Sequence, residues 1–284
     1  SSHGDGRIFR LAYEQEHYIE MMQHALPLWH ELQAHAREPI LATTGGVNVG
    51  GPASLRELRR TYQRKNIAHE RLSAAEVNAR FPQFSPPHHL EALYQPDYGV
   101  LFASKAVLAA WRMADSLGVQ RHVPFCLASA RTDAERACVR LLSTDGRHIS
   151  ARAVVIAPGA WLSALARQLF DVEIPTRVSA ETVYYFAPRA DAVDHSYRSM
   201  PVFCYHTDNG LGPHGYYGLP MIDTPGIKAS AHYCGPTVDP SRRPLAAGGP
   251  SRQHEAEAAR AAARVAAVRS STAALVAANF PHVS

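Results

Sequence analysis

Only four cysteines occur in the 284 residues, Cys126, Cys138, Cys204 and Cys234, at wide and irregular spacings. None forms a Cys-x-x-Cys unit, so the usual motifs of zinc sites and dithiol redox centres are absent, and reduced thiols in a cytoplasmic protein are expected. No apolar run approaches the ~18 residues needed to span a bilayer, and no leader pattern opens the chain, so no membrane partner is expected. A formal charge of +4 is spread without a long basic run, which argues against a nucleic-acid partner. Sixteen histidines are many, but they are scattered, and no metal site is expected from them. Also lacking is a Gly-x-Gly-x-x-Gly turn following a strand. Gly4-Asp5-Gly6 is the nearest fragment, without the third glycine or a preceding strand.

What is present is an ordinary globular composition, 46% hydrophobic and 19% charged, in a chain long enough to hold two modest domains. Its opening is unusual. Ser1-Ser2-His3-Gly4-Asp5-Gly6-Arg7-Ile8-Phe9-Arg10 places a turn, an acid and two arginines before any core pattern. Asp5 is suited to cap a short helix from Gly6, which would put Arg7 and Arg10 on one helix face as a site for an anion. The alternative is a solvated basic turn.

Farther along, residues 11–37 read as a helix, with Tyr18, Ile19, Met22, Leu26, Trp29 and Leu32 at helical spacing and a kink expected at Pro27. Leu41 to Gly51 reads as strand, turn and strand, and residues 54–65 as a basic amphipathic helix with a solvated face. Ser73-Ala74-Ala75-Glu76 forms a capping box. A strand near Leu90, a turn at Pro96-Asp97 and a second strand lead to a helix that Ser104 is expected to cap and Gly118 to end. Residues 119–157 read as strands, with a hairpin turn at Thr144-Asp145-Gly146-Arg147. Within them, Ala153-Val154-Val155-Ile156-Ala157 suits a strand buried on both faces of a parallel sheet. Pro158-Gly159-Ala160-Trp161 then leads into a helix, at a step where a glycine lets a phosphate approach the backbone. Near the end, strand alternation over Gly226 to His232 sets Lys228, Ser230 and His232 on one face, and a polar face of this kind ordinarily meets water. Residues 252–279 show a helix pattern rich in alanine and arginine.

Taken together, Ser2-His3-Gly4-Asp5-x-Arg7-x-x-Arg10 with Ala12-Tyr13, Gly-Val-Leu-Phe-x-Ser at 99–104, Gly159-Ala160-Trp161, and Tyr216-Tyr217-Gly218-x-Pro220 followed by Gly226-x-Lys228-x-x-x-His232 resemble one family. It is that of the monomeric sarcosine oxidases and N-methyl-tryptophan oxidases, FAD-dependent amine oxidases of the D-amino-acid-oxidase-like superfamily. The resemblance covers nearly all of residues 1–245. It implies that His3, Gly4, Asp5, Arg7, Gly159, Ala160 and Trp161 lie against FAD, and that Arg10 binds the substrate carboxylate. It further implies that Lys228 assists oxygen reduction above the flavin and that Tyr217 and His232 line the substrate pocket. The substrate would be a small N-alkyl amino acid, with dioxygen as acceptor. Arg10, Tyr217, Lys228 and His232 are expected to converge on one cavity.

The fold class expected is α+β, a two-domain flavoprotein oxidase fold with a partial Rossmann-like FAD domain and a mixed-sheet substrate domain. The FAD part takes 1–37 and 98–172, and the substrate part 38–97 and 173–284. By the same resemblance, the family's first strand and phosphate-binding glycines would precede Ser1, and its cofactor-attaching cysteine would follow Ser284. The chain expressed alone is therefore expected to hold FAD weakly or not at all and not to turn over sarcosine, unless a separate chain supplies those segments. Residues 178–183 read Val-Ser-Ala-Glu-Thr-Val, where the family often has Arg-Gln, which leaves substrate preference open. Two classes of function remain in view: a flavin-dependent amine oxidase, and a non-catalytic remnant or interaction module that binds no flavin by itself.

Overall fold

Long-range pairing overrides local capping chemistry at the start of the chain. Arg7–Phe9 form a strand, β1, where Asp5 and Gly6 suggest a helix. The computed structural model describes residues 4–240 and 252–283. After β1 come α1 (Glu16–Ala36), which runs through Pro27, β2 (Leu41–Thr43), β3 (Gly46–Gly50) and α2 (Arg56–Arg64). β4 (Glu70–Ser73) leads directly into α3 (Ala74–Arg80), and the capping box forms as expected, Ser73 Oγ accepting from the Glu76 N–H while Glu76 accepts from the Ser73 N–H. β5 (Glu91–Gln95), β6 (Gly99–Leu101) and α4 (Ala103–Ser116) follow. Ser104 does not cap α4: its hydroxyl is hydrogen-bonded to the backbone of Gly4, and Phe102 occupies the cap position.

Next in order are β7 (Leu127–Asp133), β8 (Cys138–Ser143), β9 (His148–Ala151) and α5 (Leu162–Phe170). The chain returns with β10 (Tyr184–Phe186), β11 (Val202–His206), β12 (Tyr216–Leu219), β13 (Ile227–Ala231) and the long α6 (Arg252–Asn279). By contacts the chain divides into two units. One holds Gly118–Ser179 with the stretch that begins at Thr237; the other holds the remaining segments on either side of it.

In the first unit, β7, β8 and β9 form a meander whose second turn is the hairpin at Thr144 to Arg147, with Gly146 at φ 86°. The segment 153–157 corrects an expectation. It is not a strand, and Val155 is 93% exposed, because no strand among the described residues pairs with it. An apolar run fits a doubly covered strand only where neighbours exist on both sides.

The larger unit is built on a seven-stranded mixed sheet in the order β10-β13-β12-β11-β3-β5-β4, with a small sheet of β1, β6 and β2. β11 and β3 run parallel; the other pairs of the large sheet are antiparallel. Register fixes two faces. One carries Ile227, Ala229, Ala231, Tyr216, Phe203, Tyr205, Val47, Val49 and Ala92, which close a core with Val268, Leu275, Val276 and Phe280 of α6 and the residues after it. Side-chain bonds pin that helix, Ser271 to the Tyr216 hydroxyl at 2.7 Å and Thr272 to the Ala231 N–H at 3.2 Å. The opposite face carries Lys228, Ser230, Tyr217, Cys204, His206 and Asn48, with apolar Leu219, Val202 and Leu93 packing against Leu11, Ile19, Leu58 and Tyr62.

One further reading needs correction. Gly210-Leu-Gly-Pro-His-Gly215 does have the Gly-x-Gly-x-x-Gly spacing and does follow a strand, β11. It leads into β12 and not into a helix, so it offers no helix N-terminus to a pyrophosphate.

Candidate active site

The residues singled out on β12 and β13 share the face away from α6. Tyr217 is the register partner of Ser230, and Lys228 that of Leu219, so Tyr217, Lys228 and Ser230 point the same way. His232 follows by alternation, its N–H donating to the Gly215 carbonyl at 2.9 Å, and its ring lies 5.3 Å from that of Tyr217. This polar face does not meet water as its alternation suggests. Lys228 is 6% exposed and Ser230 1%.

What covers it is the opening segment. Lys228 Nζ donates to the Gly6 carbonyl at 3.1 Å. Gly6 fits there because it has no side chain: a Cβ would come within 2.5 Å of Ile222 Cδ1. Four residues on, Arg10 donates to Cys204 Sγ at 3.4 Å and lies over the Tyr13 ring at 4.9 Å. Cys204 is in turn the register partner of Tyr217. Tyr217 and Lys228, with His232 just past β13, thus share one face of adjacent strands, and Arg10 meets that face from the segment over it through Cys204. Two surface clefts, lined by Ala42, Thr43 and Tyr197 and by Arg71, His88 and Glu91, include none of the four. Because Arg7–Phe9 is extended, Arg7 and Arg10 do not share a helix face.

Electrostatics mark the site as under-compensated. Among the described residues no carboxylate pairs with Arg10, whose charge is permanent. Burial, then Arg7, push the Lys228 pKa below its ordinary value, and Asp5 pushes back. Burial and the Arg10 charge bring His232 down to about 4, with His214 adding to the fall, so this imidazole is neutral at pH 7. Burial raises the Tyr217 phenol.

A buried polar chain beside Arg10 was not read from the sequence. Tyr62 and Tyr98 share a hydroxyl–hydroxyl bond of 2.5 Å, and Asn48 donates to the Tyr98 oxygen at 3.1 Å. His206 Nε2 donates to Asn48 Oδ1 at 3.1 Å, which fixes its tautomer, and burial with the Arg10 charge lowers its pKa to about 4. The available signal was Asn48 itself, a polar residue between two valines in a strand pattern.

Of the residues expected to meet a cofactor, Gly4, Asp5 and Arg7 lie in the segment over the sheet, while His3 falls outside the described residues. Gly159, Ala160 and Trp161 form a 3-10 turn at the start of α5 in the other unit, with Gly159 at φ 60° and Trp161 44% exposed.

The family model for FAD dependent oxidoreductases matches residues 1–278. The chain belongs to this family of FAD dependent oxidoreductases. Among its curated relatives, the monomeric sarcosine oxidase of Streptomyces avermitilis is 29% identical over 237 residues, covering 82% of this chain and 59% of that enzyme. The N-methyl-L-tryptophan oxidase of Salmonella arizonae is 31% identical over 252 residues, covering 87% of this chain and 64% of that enzyme. The chain thus spans about three fifths of these FAD dependent oxidoreductases. Among solved structures, the open form of NikD, an amino acid oxidase of nikkomycin biosynthesis, matches at TM-score 0.67 and 20% identity, covering 99% of this chain and 68% of that one. The likeness bears out the α+β flavoprotein oxidase fold. No helix among the described residues is long and apolar enough to cross a membrane.

Proposed function

We propose that the protein to which this chain belongs oxidises the C–N bond of a secondary N-methyl amino acid of the sarcosine or N-methyl-tryptophan kind. Dioxygen is the acceptor, and hydrogen peroxide, an aldehyde and the demethylated amine are the products. The observation that carries this reading is the pair of cations at one sheet face, Lys228 on β13 and Arg10 in the segment over it. Arg10 has no acid partner among the described residues, and Lys228 makes a single hydrogen bond. A guanidinium in that state suits a carboxylate, to which it presents two parallel donors. Tyr217 and His232 lie on the same face with their rings 5.3 Å apart, and the neutral imidazole leaves the substrate amine free of a competing charge. Lys228 holds positive charge in a water-poor place, where an anion formed from dioxygen is stabilised most.

In this reading the ring end of FAD would be held beside the opening segment and β13. Gly6 packs so closely on Ile222 and Leu219 that a Cβ would clash, which brings its carbonyl to Lys228 and sets Asp5 and Arg7 on either side of it. FAD held there would supply the two-electron chemistry that carries electrons from the substrate to dioxygen. The substrate then becomes an imine, which water cleaves. In this reading residues 1–37 and 98–172 belong to the flavin domain, residues 38–97 and 173–284 to the substrate domain, and Gly159, Ala160 and Trp161 serve the dinucleotide. The place of action is the cytoplasm.

The second reading, a module that binds no flavin by itself, draws on the glycine-rich turn at 210–215 leading into a strand. Absorbance near ~450 nm in purified protein separates the two, since the flavin carries the chemistry. The proposed activity is tested on flavin-loaded protein by peroxide release from sarcosine and N-methyl-tryptophan, set against their methyl esters. Turnover of the acids is expected, with kcat/KM for the esters lower by about 100-fold, the scale of one lost buried charge pair. Equal rates on acid and ester would contradict the role of Arg10.

A further inference from the structure

Lys228 has three N–H donors and uses one, on the Gly6 carbonyl. No carboxylate of the described residues lies within the 4.0 Å of an ion pair with it. The acid that faces it from one residue beyond Gly6 is Asp5, and that carboxylate is itself held. The Tyr185 hydroxyl donates to Asp5 Oδ2 at 3.3 Å, and the Thr224 hydroxyl donates to the same oxygen. Tyr185 stands on the edge strand β10, directly opposite Lys228 in register. Thr224 lies in the turn between β12 and β13. Two separate elements thus converge on one acid oxygen beside a buried lysine.

We propose that Asp5, clamped by Tyr185 and Thr224, is the distant counter-charge that keeps the Lys228 ammonium charged and its remaining donors open. Tyr185 and Thr224 are then positioning residues, acting through Asp5. The inference rests on the reading of Lys228 given above and adds what sets its charge. A carboxylate in contact would take up the ammonium's donors. One residue farther away, it favours the charged form by Coulomb attraction and leaves those donors for a ligand. The titratable groups facing Lys228 are Asp5 and Arg7 on the segment entering β1, Tyr185 on β10 and Tyr217 on β12. Of these, Asp5 is the one carboxyl group. Burial and Arg7 both work against the ammonium, and Asp5 is the group that opposes them.

The test is an NMR titration of the Lys228 side chain in the chain without flavin. Asp5→Asn keeps a carbonyl oxygen to accept both hydroxyl bonds but removes the charge, so a purely structural Asp5 would leave the titration unmoved. The expected result is a shift of the Lys228 midpoint to lower pH in Asp5→Asn, a smaller shift the same way in Tyr185→Phe, and recovery in Asp5→Glu. Tyr185 is 38% exposed on an edge strand, so Tyr185→Phe is expected to fold even where a change at Asp5 does not. In flavin-loaded protein, reoxidation by dioxygen at pH 7 is expected to slow about tenfold in Asp5→Asn. An unmoved Lys228 midpoint in both Asp5→Asn and Tyr185→Phe overturns the proposal. Failure of the underlying reading looks different: Lys228→Met would then keep wild-type reoxidation while the titration shifts stand.

Discussion

The two faces of the seven-stranded sheet differ in chemistry, one apolar and closed by α6, the other carrying charge and hydroxyl groups under the opening segment. On the α6 face, Phe203 and Phe280 sit with ring centroids 4.9 Å apart, Phe84 stands 5.1 Å from Phe280, and Ala229 and Ala231 are fully covered. On the other face lie Lys228, the Cys204 that accepts from Arg10, two histidines with lowered pKa and a chain of hydroxyls, and among the described residues no carboxylate pairs with either cation. Burying an unpaired charge costs free energy, and folded chains carry such groups chiefly where a ligand completes them. One face accounts for why the sheet folds. The other accounts for what it can bind.

The largest effect that would sharpen this contrast lies on the α6 face. Phe280→Ala removes a side chain 1% exposed and is expected to lower unfolding stability by about 3–5 kcal/mol in urea titration. Affinity for an N-methyl amino acid should stay within about twofold, because Phe280 and Arg10 lie on opposite sides of the sheet and such distant effects add independently. A large loss of affinity in that variant would show that the faces are not separable.

A smaller effect is expected from pH. His206 and His232 both titrate near 4 in the folded chain, below the ordinary 6.5. Between those values the unfolded chain binds protons that the folded chain refuses, so stability is fully present above pH 6.5 and falls as pH drops toward 4. Urea midpoints measured across that window should decline, and the decline should become shallower in His206→Gln and in His232→Gln. A flat profile in wild type would mean that these rings already accept protons in the fold.

Much of the polar face was legible in the sequence, and the parts that were not have a common cause. The alternation Lys228, Ser230, His232 placed three side chains together correctly, since strand periodicity is local. Their burial was not legible, because the cover comes from Gly6 and Arg10, more than two hundred and nearly two hundred residues away respectively. The same non-locality hid the Asn48–Tyr98 bond and turned Arg7–Phe9 into a strand paired with Gly99–Leu101, against the local capping signal of Asp5. The run 153–157 failed the other way. Its apolar composition promised a buried strand, but composition cannot supply the neighbouring strands that burial needs.

The central claim is that the polar face is kept for a ligand at some expense of stability, and Lys228→Met tests it most directly. Methionine fills a similar volume without the charge, so unfolding stability by urea titration should equal that of wild type or exceed it by about 1 kcal/mol, as when buried ions give way to apolar groups. A loss as large as that of Phe280→Ala would contradict the account, because Lys228 would then be part of what holds the fold together.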